Sequence, residues 1–229
     1  MSKKVLVVAA HPDDEVLGCG GTIAKLTAAG DTVNVVIAAE GIMSRTISGA
    51  QMAEEMGVVH RVCGDTNYEL GVKEVEFLRF PDNRMDSVDF LDVVKKIEAC
   101  FAQYQPDVVY THHFNDLNVD YRICHLTVLT AARPLPGSSV RQILYYEVPS
   151  ATDWIFSGTS RVGFVPNYFE NIESTLDRKM KALQAYSAEM RPYPHARSIE
   201  ACEYLARWRG SMVGHKAAEA FEVGRMVSP

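Results

Sequence analysis

The chain has 229 residues, 47% hydrophobic and 23% charged, with 15 Gly and 10 Pro, which excludes a disordered, collagen-like or low-complexity protein. Its 23 basic residues stand against 29 acidic ones, a net charge of -6, so the concentrated basic face of a nucleic-acid surface is not expected. No apolar run approaches the ~18–20 residues of a membrane span. MSKK leads straight into an apolar strand without the h-region of a signal peptide. The 5 Cys are scattered and never form C-x-x-C, so they read as reduced thiols of a cytoplasmic protein rather than a thiolate metal site.

Residues 5–10 (VLVVAA) form a continuous apolar run, the pattern of a strand buried on both faces. A helix is predicted over about 16–29, closed by Gly30 as a C-cap. Residues 33–39 read as a second buried strand, followed by a polar loop and a helix over about 49–60. A third strand is predicted at 74–80, a helix at 89–103, a fourth strand at 108–111 and a helix from Asp120 to about Ala132. Beyond residue 135 the pattern loosens. A late strand is expected at 142–148, a turn-rich or β segment at 150–167, and helices at 172–186 and 197–213. Buried strands alternating with helices imply βαβ units. The fold expected is α/β: a Rossmann-like, doubly wound, mostly parallel sheet with helices on both faces and a C-terminal helical/β elaboration. No linker marks a boundary, so residues 1–229 read as a single domain.

Open α/β sheets bind ligands beyond the carboxyl ends of their strands. The clusters following successive predicted strands are His11-Pro12-Asp13-Asp14-Glu15, Glu40 to Arg45, Pro81-Asp82-Asn83-Arg84 and His112-His113-Phe114-Asn115-Asp116. Nearly all the functional side chains thus fall at one edge. His11 and Asp14 bracket the first turn, and an imidazole nitrogen with a carboxylate oxygen suits a catalytic zinc that keeps positions open for water. Asp13 is then placed to act as general base. The plainer account is an acidic helix N-cap. In the second cluster, Tyr121 and His125 are i, i+4 neighbours on one helix face.

The segment 7–21 (VVAAHPDDEVLGCGG) resembles the signature of the PIG-L/LmbE-like zinc-dependent N-deacetylases, which act on N-acetylglucosamine-type moieties. The likeness extends through Glu40-Gly41 with Ser44-Arg45, residues 81–86, 116–121, 130–136 (TAARPLP), 193–198 (YPHARS), Arg209-Gly210 and 218–221, covering essentially the whole chain. It implies that His11 and Asp14 are ligands of Zn2+ or another divalent metal and that Asp13 is the general base. The family's third ligand is a His directly after an Asp, whereas this chain has Asp120-Tyr121. Three accounts follow: Tyr121 ligates as a phenolate, His125 takes over one turn on, or the metal is held weakly or not at all. Asn118 stands where many members carry an oxyanion-stabilising His, so Asn118 or Tyr121 is expected to hold the tetrahedral intermediate.

On the substrate side, Arg45 and Arg84 follow strand ends and suit the hydroxyl or phosphate groups of a sugar. His195 and Arg197 come from a loop placed to cover the site; for all the arginines the plainer role is an ion pair. The expected ligand is a small N-acetyl sugar or sugar conjugate, with no nucleic-acid partner, no membrane span, and homo-oligomerisation left open. The activity expected is removal of the acetyl group by metal-activated water. The alternative is a non-catalytic or weakly metal-binding carbohydrate-binding homologue. A dinucleotide reading of Gly18-Cys19-Gly20-Gly21 fails on position: a Rossmann fingerprint puts its first Gly directly after strand one. These glycines are expected to let the first helix lie close to the sheet.

Overall fold

The computed structural model describes residues 2–39, 41, 49–155 and 162–228. Strands β1 (Lys4–Ala9), β2 (Thr32–Ala39), β3 (Glu74–Phe80), β4 (Val108–His112), β5 (Gln142–Tyr146), β6 (Tyr168–Asn171) and β7 (Ala218–Met226) form one seven-stranded sheet, ordered β3-β2-β1-β4-β5-β7-β6. β1 to β5 pair in parallel, and β7 runs antiparallel between β5 and β6. The helices are α1 (Asp14–Ala28), α2 (Gly49–Glu69), α3 (Phe90–Tyr104), α4 (Val119–Ala131), α5 (Leu176–Ala185) and α6 (Ile199–Ser211). None of the described helices is long and apolar enough to cross a membrane.

The apolar runs of β1 and β2 are buried on both faces because helices cover both. Val5, Val7 and Ala9 pack with Ile23 of α1, Cys63 of α2, Leu183 of α5 and Ala206 of α6. Leu6 and Val8 point the other way, into Ile97 and Phe101 of α3 and Val128 of α4. The chain proceeds outward from β1 through β2 to β3, then returns to β4 on the other side. The topological switch point therefore lies between the carboxyl ends of β1 and β4.

Two boundaries and one whole element differ from expectation. The second helix runs on to Glu69 rather than stopping near His60, since Gly57 and Gly64 sit in open surroundings and Cys63 and Leu70 are buried. The segment expected to start a helix at 172 begins it at Leu176, after a turn that follows β6. β7, a nine-residue strand, carries no strand prediction at all.

α1 is broken at Cys19, whose φ/ψ of -147/25 is not helical. The break leaves Gly21 N–H and Thr22 N–H without their helical acceptors, and both donate to Glu219 of β7, at 2.9 and 2.7 Å. Lys179 of α5 takes the carbonyl of Leu17, at 2.8 Å, and pairs with Glu219 at 2.5 Å. The close approach depends on glycine. A Cβ on Gly21 would stand 2.8 Å from the Ile172 side chain, and one on Gly18 would overlap the Tyr146 ring. The glycines after the acidic turn serve packing, as their position implies.

Candidate active site

β1 ends at the switch point and turns through His11 and Pro12 into α1. Ala10 N–H donates to His112 Nε2 of β4, at 2.9 Å, and His11 N–H donates to Asp14 Oδ2, at 2.9 Å. Between them Asp13 adopts φ 103°, a left-handed conformation rare outside glycine. Such a residue persists only where its surroundings over-determine it. Its N–H donates to Glu15 Oε2, at 3.0 Å, while Glu15 Oε1 accepts from Asn67 Nδ2 of α2 and the Tyr186 hydroxyl, both at 2.8 Å. Glu15 is buried; burial raises its pKa and the bonds from Tyr186 and Asn67 oppose the rise.

His11 is aimed by a second buried carboxylate. Its Nε2 lies 2.9 Å from Asp120 Oδ2 and 3.1 Å from Asp82 Oδ1, and its Nδ1 lies 3.4 Å from Asp14 Oδ2. Asp120 is itself held by the backbone N–H groups of Asn83 and Met85, at 2.7 and 3.0 Å. Burial works to lower the His11 pKa, but the bonds to Asp120, Asp14 and Asp82 outweigh it and raise the group well above its ordinary value. Asp14 shows the opposite balance: burial pushes it up, and the hydrogen bond with His11 leads the effects that bring it down to about 2. Burial raises Asp13 well above the usual carboxylate range, against the pull of Arg197. His112, pressed down to about 3 by burial, stays neutral.

Tyr121 points into the same cluster. Its ring stacks on His112 at 4.0 Å, and its hydroxyl donates to Asp14 Oδ1 in a short bond. Burial and the Asp14 charge raise the phenol well above its ordinary value. His125 Nδ1 bonds the His112 carbonyl at 3.0 Å and its ring packs on Tyr145 at 4.5 Å, so in this structure it is engaged with β4 and β5.

Do these residues fit a divalent cation? Among the described residues, Asp13, Asp14, Asp82 and Asp120 crowd one buried site against His11 and the Arg197 guanidinium, a surplus of carboxylates that favours a cation. A ligating His commonly donates its other ring N–H to a carboxylate, as His11 Nε2 can to Asp120. That leaves Nδ1 facing Asp14, the arrangement of two ligands on one ion. His11, Asp82 and Asp120 lie close enough together to share an ion, and Asp14 stands on the other ring nitrogen of His11. The donors present suit a divalent cation, and the third family position is filled by a phenol.

These residues border a cleft of about 170 Å³ lined by His11, Asp13, Asp82, Asn83, Asn118, Tyr121 and Arg197, among others. Asn118 caps α4 by accepting Asp120 N–H, at 2.8 Å, and gives one amide hydrogen to Asn83, at 3.0 Å. Arg197 reaches in from the loop before α6, with Nη1 3.1 Å from Asp13 Oδ2, Nη2 3.4 Å from the Tyr121 hydroxyl and Nε 3.2 Å from Ser150 Oγ. His195 stands behind it, its Nδ1 accepting Arg197 N–H at 3.0 Å. Arg84 is exposed and is not part of the cleft lining. Arg45 lies outside the described residues. Sequence reasoning placed Glu15 and Asp82 at the strand edge and Asp120 at a helix start but gave them no role, and it missed Asn67 and Tyr186, which carry no local signal.

The family described as PIG-L, GlcNAc-PI de-N-acetylase, matches residues 6–132, more than half of the chain. A probable N-acetyl-α-D-glucosaminyl L-malate deacetylase 2 of Bacillus cereus is 27% identical over 193 residues, covering 82% of this chain and 84% of its own. Among solved structures, the N,N'-diacetylchitobiose deacetylase of Pyrococcus horikoshii superposes with TM-score 0.76 at 23% identity, covering 98% of this chain and 84% of its own. The 4-carboxy-2-hydroxymuconate hydratase of Pseudomonas putida superposes with TM-score 0.79 at 20% identity, covering 99% and 98%. The shared fold thus hosts more than one reaction, and function has to be argued from the site.

Proposed function

Because the chain belongs to the PIG-L (GlcNAc-PI de-N-acetylase) family, we propose that it hydrolyses the acetamide of an N-acetylated amino sugar or sugar conjugate, releasing acetate and the free amine. The observation that carries this reading is the acidic turn at the switch point, where Asp120 braces His11 and Asp13 is held facing the cleft. His11 and Asp14 would hold a divalent ion, zinc in the first instance. Such an ion lowers the pKa of a water and polarises an acyl oxygen.

The remaining chemistry belongs to the chain. Asp13 takes a proton from the attacking water and returns it to the amine nitrogen as the carbon–nitrogen bond breaks. Its burial raises its proton affinity, and the Arg197 guanidinium at 3.1 Å opposes that rise. Asn118 has a second amide hydrogen for the developing oxyanion, whereas the Tyr121 hydroxyl is committed to Asp14. Arg197 and His195 serve the substrate side, and Arg84 is assigned to its periphery. The ligand is a small molecule, and we read residues 1–229 as one domain in the cytoplasm. The buried, unpaired state of Cys19, Cys63, Cys100, Cys124 and Cys202 supports that compartment.

Acetate release from N-acetylated sugars by zinc-supplemented protein tests the proposal. Asp13→Asn is expected to lower kcat about 10²- to 10⁴-fold with ion content unchanged, and wild-type turnover in that variant overturns the assignment of the base. The Tyr121–Asp14 bond favours a second reading, a carbohydrate-binding protein with a weakened ion site. Saturable sugar binding without any acetate release would select it.

A further inference from the structure

Among the described residues, five other than glycine adopt a positive φ, and two of them, Asp13 and Asn83, line the cleft. A third, Ser150, stands directly behind it at φ 70°. Asparagine tolerates this left-handed region, and Asp13 is held there by its bonds within the turn. Serine is not among the residues that favour it, and glycine would adopt the same backbone without strain. An outlier of this kind points to a task for the side chain. The Ser150 hydroxyl accepts Arg197 Nε–H, at 3.2 Å.

Both partners in that bond are anchored. Ser150 sits in a turn after β5, where the N–H groups of Ala151 and Thr152 donate to the Val148 carbonyl at 3.2 and 3.0 Å. Thr152 Oγ1 accepts Val148 N–H at 2.8 Å and donates to Asp116 Oδ2 at 2.5 Å. Asp116 is buried in the connection from β4 to α4, so the turn is tied to the strand edge at the switch point. Arg197 comes from the other side with its backbone held: His195 Nδ1 accepts its N–H at 3.0 Å, and its carbonyl accepts Arg191 N–H at 3.1 Å. What remains free is a long side chain with much rotamer entropy. The guanidinium is a rigid planar fork, so a bond at Nε restrains both η nitrogens with it. Nη1 then lies 3.1 Å from Asp13 Oδ2 and Nη2 3.4 Å from the Tyr121 hydroxyl.

We propose that Ser150 is a positioning residue, whose hydroxyl aims the Arg197 guanidinium at Asp13 and Tyr121. Without that bond the guanidinium swings off Asp13, and the carboxylate loses the contact that orients it in the cleft. The bearing on turnover rests on the deacetylase reading; the aiming of Arg197 does not.

Ser150→Gly removes the hydroxyl and spares the backbone, since glycine keeps φ 70° and is relieved of strain. Its melting temperature should stay within about 2 °C of the wild type, relief offsetting the lost bond. In full-length protein with isotope-labelled arginine, the Arg197 Nε–H resonance is identified by its absence in Arg197→Lys. Its exchange with water should quicken about ten-fold or more in Ser150→Gly. With N-acetylglucosamine and zinc-supplemented protein, kcat should fall about ten-fold, short of the roughly 10²-fold cost of an ångström's displacement. In the Arg197→Lys background, which lacks the nitrogen that Ser150 meets, the same change should move kcat less than about two-fold. Unchanged exchange, unchanged kcat, or equal kcat losses in the two backgrounds overturns the positioning role. A melting temperature lowered by more than about 5 °C gives Ser150 to the fold instead. Absence of acetate release from any N-acetylated sugar by the wild type overturns the deacetylase reading, and exchange at Nε then decides the aiming of Arg197.

Discussion

Glu15 tests whether the acidic turn is held in place from behind. Glu15→Ala removes the acceptor for three buried donors: Asp13 N–H, the Asn67 amide and the Tyr186 hydroxyl. Each unmet donor costs about 1–3 kcal/mol. Relief of the desolvated carboxylate returns part of the sum, so the net loss expected is about 3–5 kcal/mol. Asp13 then has no reason to keep φ 103°, and a base displaced by an ångström costs roughly 10²-fold in kcat. Glu15→Gln separates the two effects. Its oxygen can still face Asp13 N–H, and its amide can meet Asn67 Oδ1, a buried atom with no partner. Urea denaturation with parallel kcat and KM measurements on metal-loaded protein is the assay. Glu15→Ala should lose stability and kcat, with Glu15→Gln recovering most of the kcat. A stability change under 1 kcal/mol in Glu15→Ala, or equal kcat losses in the two variants, refutes the reasoning.

Lys179→Met leaves Glu219 charged, buried and served only by backbone N–H groups; a loss of about 3–5 kcal/mol is expected, partly recovered in the double variant with Glu219→Gln, by calorimetry or denaturation. Tyr121→His removes the hydrogen bond to Asp14 and supplies an imidazole, so zinc affinity measured by chelator competition should rise at least ten-fold; unchanged affinity would place the ion elsewhere. Asp116 is held up to about 7 by burial. The folded state therefore keeps a proton that the unfolded chain releases near pH 4, and stability falls as pH rises from about 4 to 7, by about 4 kcal/mol at most. Asp116→Asn should flatten that slope between pH 4 and pH 8; an unchanged slope assigns the titration to another group.

The parallel half of the sheet was legible because its strands are short apolar runs ending in clusters of polar residues. β7 was not, since AEAFEVGRM mixes Ala and Glu with little β preference. Its strand state comes from pairing with β5 and β6 and from the two N–H groups that Glu219 meets. At the site, His11, Asp13 and Asp14 stand out because the turn between a buried strand and a helix is local. The choice between Tyr121 and His125 depends on how α4 is rotated against β4, which i, i+4 spacing leaves open. Asn67 and Tyr186 reach Glu15 from 52 and 171 residues away, and no local pattern marks a partner at that distance.

The broken first helix also sets a clock. The carboxylate that caps the break at Gly21 lies 198 residues downstream. At synthesis rates of about 5–20 residues per second, His11 waits roughly 10–40 s for that group to leave the ribosome. Until then the second half of α1 lacks its cap and Lys179 lacks its counter-charge, so the nascent chain carries the acidic turn without the scaffold that shapes it. Assembly of the site therefore waits on residue 219, and chains terminated before it are expected to be released without a formed centre.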